Sequence, residues 1–321
     1  MNIYGKILLL LSFSLLYIGQ VTAQVTIKDL TGVSEDAGEI IQFHYMGKNY
    51  QLKISDYLVP EVGIQLVDVE KLNREMKRLN SLIEVKEQSA YINDSGQLVE
   101  HLTGVSLDED RLFSKLQEIL YSEHEMAGML PVKLTPPRVT TGQFKKAMER
   151  RISSFSTYFN SRNLNRSHNI SLASKAINHY IVLPGEKFSF NEVLGERTVN
   201  KGYKRAPVIV SGELSEGVGG GICQVSSTLF NAVDRAGLTI LKRYSHSKQV
   251  GYVPPGRDAT VSWHGPDFTF RNDYDHPIMI KSYAGNGIHA ISIYSSRELE
   301  VELRQTPEAP KSLPKETRNN G

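Results

Sequence analysis

The sequence predicts an α+β protein, with a small N-terminal α+β domain followed by a larger one in which helices pack on a mainly antiparallel sheet. Three observations carry this. A chain of 321 residues has the length for two domains of ordinary size. Apolar residues recur at helical spacing over 69–83 and again from Val225 to Ala236. Around these helices, short β-type runs alternate with turn signals rich in Gly, Asn and Asp.

Taken in order, the chain opens on Lys6 and an apolar run from Ile7 to Ile18, and Val21-Thr22-Ala23 offers small residues where a signal peptidase needs them. Residues 1–23 therefore read as a signal peptide cleaved after Ala23, or as an uncleaved membrane anchor. Both readings place the mature chain outside the cytoplasmic membrane, secreted or anchored. The first domain, 24–140, begins with the runs Val25-Thr26-Ile27 and Ile40–Tyr45, the latter ending at a turn over Met46–Asn49. A helix follows over Val69–Ile83, then a hairpin of 90–92 with 97–99 across Asn93–Gly96. Ser106 and Glu109 have the spacing of a capping box for a helix burying Leu112, Phe113, Leu116, Ile119 and Leu120. Val132–Leu134 reads as a strand before Pro136-Pro137. No catalytic cluster is evident here; His44, His101 and His124 are scattered. A linking helix is expected over 141–152, the second domain over 153–295, and a disordered tail over 296–321.

Composition narrows the function. Hydrophobic residues at 40% and charged residues at 22% fit a globular chain. Lys and Arg (37) nearly balance Asp and Glu (35), so no basic field invites nucleic acid. One cysteine excludes an intrachain disulfide framework and any multi-cysteine metal site. No cofactor and no metal is expected. His246, Asp258, His264 and Asp267 are potential ligands, but they lack the tight spacing of a metal motif.

That cysteine stands in the most informative segment, Gly219-Gly220-Gly221-Ile222-Cys223-Gln224. Three glycines imply a backbone need that other residues cannot meet. The apolar periodicity behind them, closed by Gly237, places Cys223 at a helix N-terminus, where free amides and the helix dipole favour a thiolate. The glycine loop can also present N–H groups to an oxyanion. A cysteine nucleophile needs a base and an orienting group. His246, flanked by Ser245 and Ser247, is the first choice of base, with His264 and His276 weaker. Asp258 and Asp267 are the carboxylates available, and turn formation explains each equally well. His179 and His289 read as structural. Ser245 and Lys248 have Ser-x-x-Lys spacing, which requires a helix to become a serine acyl-enzyme site. Strands are expected from Thr239, over Ala259–Trp263 and over Asp267–Arg271, and the chain should end in a hairpin of 278–280 with 288–291.

Several blocks together resemble the VanW family: Leu183–Asn191, Gly202-Tyr203 with Ala206-Pro207, Gly219–Asn231, His246-Ser247, Gly256–Val261 and Asp267–Asn272. The likeness covers roughly 160–295. More faintly, 70–138 is similar to the peptidoglycan-binding-like domain that often precedes VanW domains. The resemblance implies an exported cell-wall protein linked to antibiotic resistance, acting on peptidoglycan stem peptides as an L,D-transpeptidase. Cys223 would be the nucleophile and His246 the base, with Gly220 and Gly221 as oxyanion donors and Gln224 on the donor backbone. Beside these, Asp258 is the catalytic carboxylate expected from the residues, and Ser226, Arg243 and Tyr252 complete the expected substrate-binding set. Tyr244, Tyr252 and Trp263 would line a groove, unless Trp263 packs in the core. The better-known L,D-transpeptidase fold carries its histidine just upstream of the cysteine. Here the histidine lies 23 residues downstream, so the chemistry does not transfer by alignment. The alternative is a non-catalytic peptidoglycan-binding or glycopeptide-resistance accessory module in which Cys223 merely packs.

Overall fold

The computed structural model describes residues 11–13, 23–25, 40–61, 64–121, 127–210 and 213–311. Two three-residue strands, β1 (Leu11–Phe13) and β2 (Ala23–Val25), pair antiparallel. The rest of the expected signal segment, His124 and residues 312–321 lie outside the described residues. The chain divides into two compact units, 1–88 with 102–137 and 89–101 with 138–321. The hairpin expected within the first domain thus belongs to the second unit.

In the first unit β3 (Ile40–Tyr45) and β4 (Lys48–Lys53) form a hairpin whose turn residues, Met46 and Gly47, both have positive φ. The hairpin of β5 (Leu58–Glu61) and β6 (Ile64–Val67) leads into α1 (Val69–Ile83). Asp68 caps α1 by accepting from the Lys71 N–H. The chain leaves this unit through β7 (Tyr91–Ile92) and β8 (Leu98–Val99), and returns as β9 (Gly104–Leu107). After α2 (Glu109–Tyr121), β10 (Ala127–Met129) runs parallel to β3, and β11 (Val132–Thr135) pairs antiparallel with β9. The capping box is corrected. Ser106 lies in β9 opposite Lys133, where the ladder holds its backbone extended, and Asp108 accepts from the Arg111 N–H instead. Leu72, Met76, Leu79 and Ile83 of α1 join Leu112 and Leu116 of α2 over Ile41, Phe43 and Leu52, forming one core.

After the β7–β8 hairpin the second unit continues with α3 (Thr141–Ala147), held by a capping box between Thr140 and Gln143. The linking helix expected to reach residue 152 stops at Ala147, because Arg150 already enters β12 (Arg150–Tyr158). Phe144 and Ala147 are buried, so this helix belongs to the unit's packing. α4 (Leu164–Ile177), β13 (Tyr180–Val182), β14 (Lys187–Ser189) and α5 (Phe190–Leu194) follow. Then come the hairpin of β15 (Arg205–Val210) and β16 (Glu213–Val218), α6 (Ile222–Arg235) and β17 (Thr239–Lys242). The chain closes with β18 (Thr269–Arg271), β19 (Ile278–Gly285) and β20 (Ile288–Ser295).

The main sheet has the order β12-β20-β19-β13, antiparallel throughout, and β14-β18-β17 forms a smaller one. Helix α4 packs on β19, and α6 on β12 and β20. The terminal hairpin turns through Asn286 and Gly287, both at positive φ, as a tight two-residue turn requires. Two expectations are corrected. Ala259–Trp263 is not a strand: the Thr260 N–H reaches the Tyr244 carbonyl, but no ladder forms. Nor is the tail loose from residue 296. As far as residue 311 it lies on the unit, with Leu299 and Ala309 buried and Arg304 paired with Asp234.

Candidate functional site

The glycine loop turns from β16 into α6 under tight constraint. Gly219 and Gly221 have φ of +88° and +107°, where only glycine is unstrained. At Gly220 a Cβ atom would stand 2.5 Å from the Pro207 carbonyl oxygen and 2.7 Å from the Ala206 carbonyl carbon. The loop is therefore pressed against β15 as closely as backbone allows. Gly219 donates to the Lys204 carbonyl, Ile222 to Gly219 and Gln224 to Gly221. The N–H groups of Gly220, Gly221 and Cys223 have no protein acceptor among the described residues. Cys223 is the second residue of α6 and is partly accessible.

The polar face of α6 is buried to an unusual degree. Gln224, Ser226, Ser227, Thr228 and Asn231 are fully enclosed. Gln224 and Thr228 meet Thr157 and Tyr158 of β12, while Ser226, Ser227 and Asn231 face backbone without secondary structure, whose polar groups need partners. Ser226 donates to the Ala259 carbonyl. The Ser227 hydroxyl donates to the Cys223 carbonyl at 2.7 Å and accepts from the Ala259 N–H at 2.8 Å. Asn231 donates to the Arg257 carbonyl and accepts from the Arg257 guanidinium, which also pairs with Asp234 at 2.7 Å. Residues 257–261 are thus stapled along α6. The Cys223 thiol donates to the Val261 carbonyl at 3.5 Å, and its sulfur lies 3.7 Å from the Thr260 hydroxyl.

The same staple delivers Asp258 and, through it, His246. Both the backbone N–H and Nδ1 of His246 lie 2.6 Å from Asp258 Oδ2, and both side chains are about nine-tenths buried or more. With Nδ1 engaged, Nε2 is the nitrogen left to serve the thiol. The electrostatics are those of a coupled triad. Burial pushes the Cys223 thiol up, but hydrogen bonding and charge from His246 outweigh it and hold the thiol below its ordinary value. Burial works against the imidazolium of His246, yet Cys223 and Asp258 together hold its pKa above the usual histidine value. Burial likewise opposes ionised Asp258, and bonds from the His246 backbone and ring bring it down.

The expected binding set fares differently. Gln224 is fully buried; its amide nitrogen donates to the Thr157 hydroxyl and Tyr158 carbonyl, and its oxygen accepts from Arg166. Its donors and acceptor are thus committed inside the protein, as is the Ser226 hydroxyl. Arg243 donates to the Gly256 and Asp258 carbonyls and lies over the Phe230 ring, so it shapes the loop. Tyr252 is buried at 8% exposure and does not line an open groove. All four side chains are thus engaged within the protein. Tyr244 and Trp263 are 49% and 42% exposed, which moves Trp263 out of the core. Asp267 accepts from the Ser189 hydroxyl and the Asn191 N–H and is not part of the triad. Residues 243–248 form no helix, so Ser245 and Lys248 lack the geometry their spacing needs. Thr260 and Arg197 complete the surroundings of the thiol; Thr260 lies in one of the family-like blocks, and nothing local in the sequence marks Arg197.

Residues 165–294 match the family model described as VanW like protein. The uncharacterized protein YoaR of Bacillus subtilis is 48% identical over 261 residues, spanning 81% of this chain and 86% of that protein. The chain belongs to the VanW family. The vancomycin B-type resistance protein VanW of Enterococcus faecalis is 34% identical over 116 residues, which is 35% of this chain and 42% of that protein. No solved structure matches. The whole triad, Cys223, His246 and Asp258, falls inside the family-matched segment. Among the described residues no helix is long and apolar enough to cross a membrane, and no three His, Cys, Asp or Glu side chains gather as metal ligands.

Proposed function

We propose that this VanW-family chain is an exported cell-wall protein that performs cysteine acyl transfer on peptidoglycan stem peptides, as an L,D-transpeptidase. One observation carries the reading: His246 is clamped by Asp258 through two 2.6 Å hydrogen bonds and coupled to a thiol at a helix N-terminus. The name of the enterococcal relative supports a cell-wall setting and a link to vancomycin resistance.

The Cys223 thiolate attacks a peptide carbonyl of the donor stem, and the unclaimed N–H groups of Gly220, Gly221 and Cys223 are the donors at hand for the oxyanion. The C–N bond breaks as the His246 imidazolium protonates the departing amine, leaving a thioester on Cys223. An acceptor amine then attacks the thioester and gives its proton to His246, and the thiolate is released. Asp258 keeps the ring oriented and stabilises its charged form through both steps.

Incubating the mature protein and a Cys223→Ala variant with purified muropeptides, read by mass spectrometry, tests this. Cross-linked or terminally exchanged products are expected from the native protein and none from the variant. Products that persist in the variant would refute the nucleophile, and no products from either protein would leave wall binding as the function.

A further inference from the structure

Arg197 is the charged group beside the thiol that the acyl-transfer steps leave without a task. It follows α5 and lies against the glycine loop, its Cβ 3.4 Å from where a Cβ on Gly219 would stand. Its guanidinium donates to the Asn191 side-chain oxygen at 2.8 Å and to the Gly195 carbonyl at 3.3 Å, both neutral acceptors. The Asn191 amide in turn donates to the Ser262 carbonyl at 2.9 Å, the residue after the one that accepts from Cys223. A two-residue backbone step thus links the anchor of the thiol to the anchor of the guanidinium.

The charge of Arg197 is poorly compensated. Among the described residues it makes no ion pair. Asp267, whose charge reaches it, is occupied by Ser189 and Asn191. Burial works against the guanidinium, and Cys223 is the first of the groups that offset this. That offset disappears once the sulfur bonds to the attacked carbonyl carbon, while the residue to be displaced is still attached. A largely buried cation then needs another anion, and a guanidinium fork with unused N–H groups is shaped for a carboxylate. Arg197 packs on the glycine loop and is held by Asn191 beside Ser262, the neighbour of the residue that accepts from the thiol, which sets it next to the site where the residue after the attacked carbonyl would lie.

We infer that Arg197 binds the free α-carboxylate of the residue displaced from the donor, so that the site selects peptides ending one residue past the scissile bond. This rests on the acyl-transfer reading of the same site. It makes Arg197 a specificity residue that touches substrate, and it predicts rejection of donors whose terminus is amidated or extended by a further residue.

The test uses a synthetic stem tetrapeptide and its C-terminal amide, with the full mature chain. Intact-mass kinetics should show Cys223 acylated at least about tenfold faster by the free acid than by the amide. In Arg197→Gln the ratio of acid to amide rates should collapse to about one, beyond any loss the two donors share, and Arg197→Lys should recover part of the preference. Equal loss on both donors, or a preference that survives in Arg197→Gln, overturns the assignment. Binding is read separately by calorimetry on Cys223→Ala with and without Arg197→Gln. Tighter binding of the acid, abolished by the second substitution, upholds Arg197 even if no acylation occurs, a result that would sink the acyl-transfer reading alone. Equal binding of acid and amide to Cys223→Ala refutes the inference.

Discussion

The loop of residues 243–268 and the hairpin of β19 and β20 each carry an enclosed histidine, and the two rings meet opposite fates. In the hairpin, strands satisfy their own backbone, and only side-chain hydroxyls are left to face His289. Its Nε2 lies 3.2 Å from Ser282, its Nδ1 has no partner, and burial drives its pKa down to about 3. In the loop almost no backbone is paired in a ladder, so carbonyls, a carboxylate and an arginine all turn inward to meet α6. His246 is nearly as enclosed, yet its pKa rises, because Asp258 and Cys223 supply what burial removes. Irregular backbone thus gives His246 charged partners that favour its protonated form, and regular pairing leaves His289 without them.

The sharpest way to break this contrast is to remove the carboxylate. In Asp258→Asn the ring loses its orienting anion, and acylation of Cys223 should fall by about 10³-fold or more. The pH profile separates this from unfolding. The thiol now ionises below its ordinary value and His246 above its own, so alkylation of Cys223 should reach its plateau at lower pH than for a free thiol. In Asp258→Asn that midpoint should move upward; an unmoved midpoint would show that Asp258 does not act through the ring.

The hairpin side of the contrast is read in acid. His289 is neutral when folded and protonates near its ordinary value of 6.5 when unfolded, so its contribution is intact above pH 6.5 and declines as pH falls toward about 3. Between pH 7 and pH 4 this amounts to about 3 kcal/mol of lost stability. Urea titrations at the two pH values should show that component in the native chain and not in His289→Leu. His246, with its raised pKa, has the opposite sign: its contribution is full below about 6.5 and is lost as pH rises through its folded value.

A smaller effect tests how the loop is held. Gly220→Ala drives a Cβ into backbone that has no room to yield, and should cost about 2–3 kcal/mol and slow Cys223 alkylation. Gly256→Ala meets open space and bears only the strain of its positive φ, about 1 kcal/mol, with alkylation unchanged. Thermal melts of both variants give the difference, and equal costs would mean the close approach to β15 is not what fixes the loop.

Much of this was legible in the chain because it depends on neighbours in sequence. Val69–Ile83 declares its helix through spacing, and the paired positive-φ turns at Met46-Gly47 and Asn286-Gly287 declare their hairpins. The Gly-Cys segment declares a helix start for the same reason. What failed was decided at a distance. Ser106 loses its cap because Lys133 pairs with its strand, and Ala259–Trp263 alternates like a strand but finds Ser226, Ser227 and Asn191 in place of a ladder. Gln224 and Arg243 look like contacts for substrate until Thr157, Tyr158 and the loop carbonyls claim their donors. Arg197 has no local signature at all, since its meaning lies in Asn191 and the loop behind it.

The staple made by Ser227 has a consequence for timing. Its one hydroxyl joins the carbonyl of Cys223 to the N–H of Ala259, the residue next to Asp258. Cys223 and the neighbour of Asp258 are therefore tied through a single side chain on the rigid body of α6. On the proposed acyl-transfer reading, no closing motion is needed to bring the pair together before each encounter, and the pace of the site is set by the arrival and departure of its peptides.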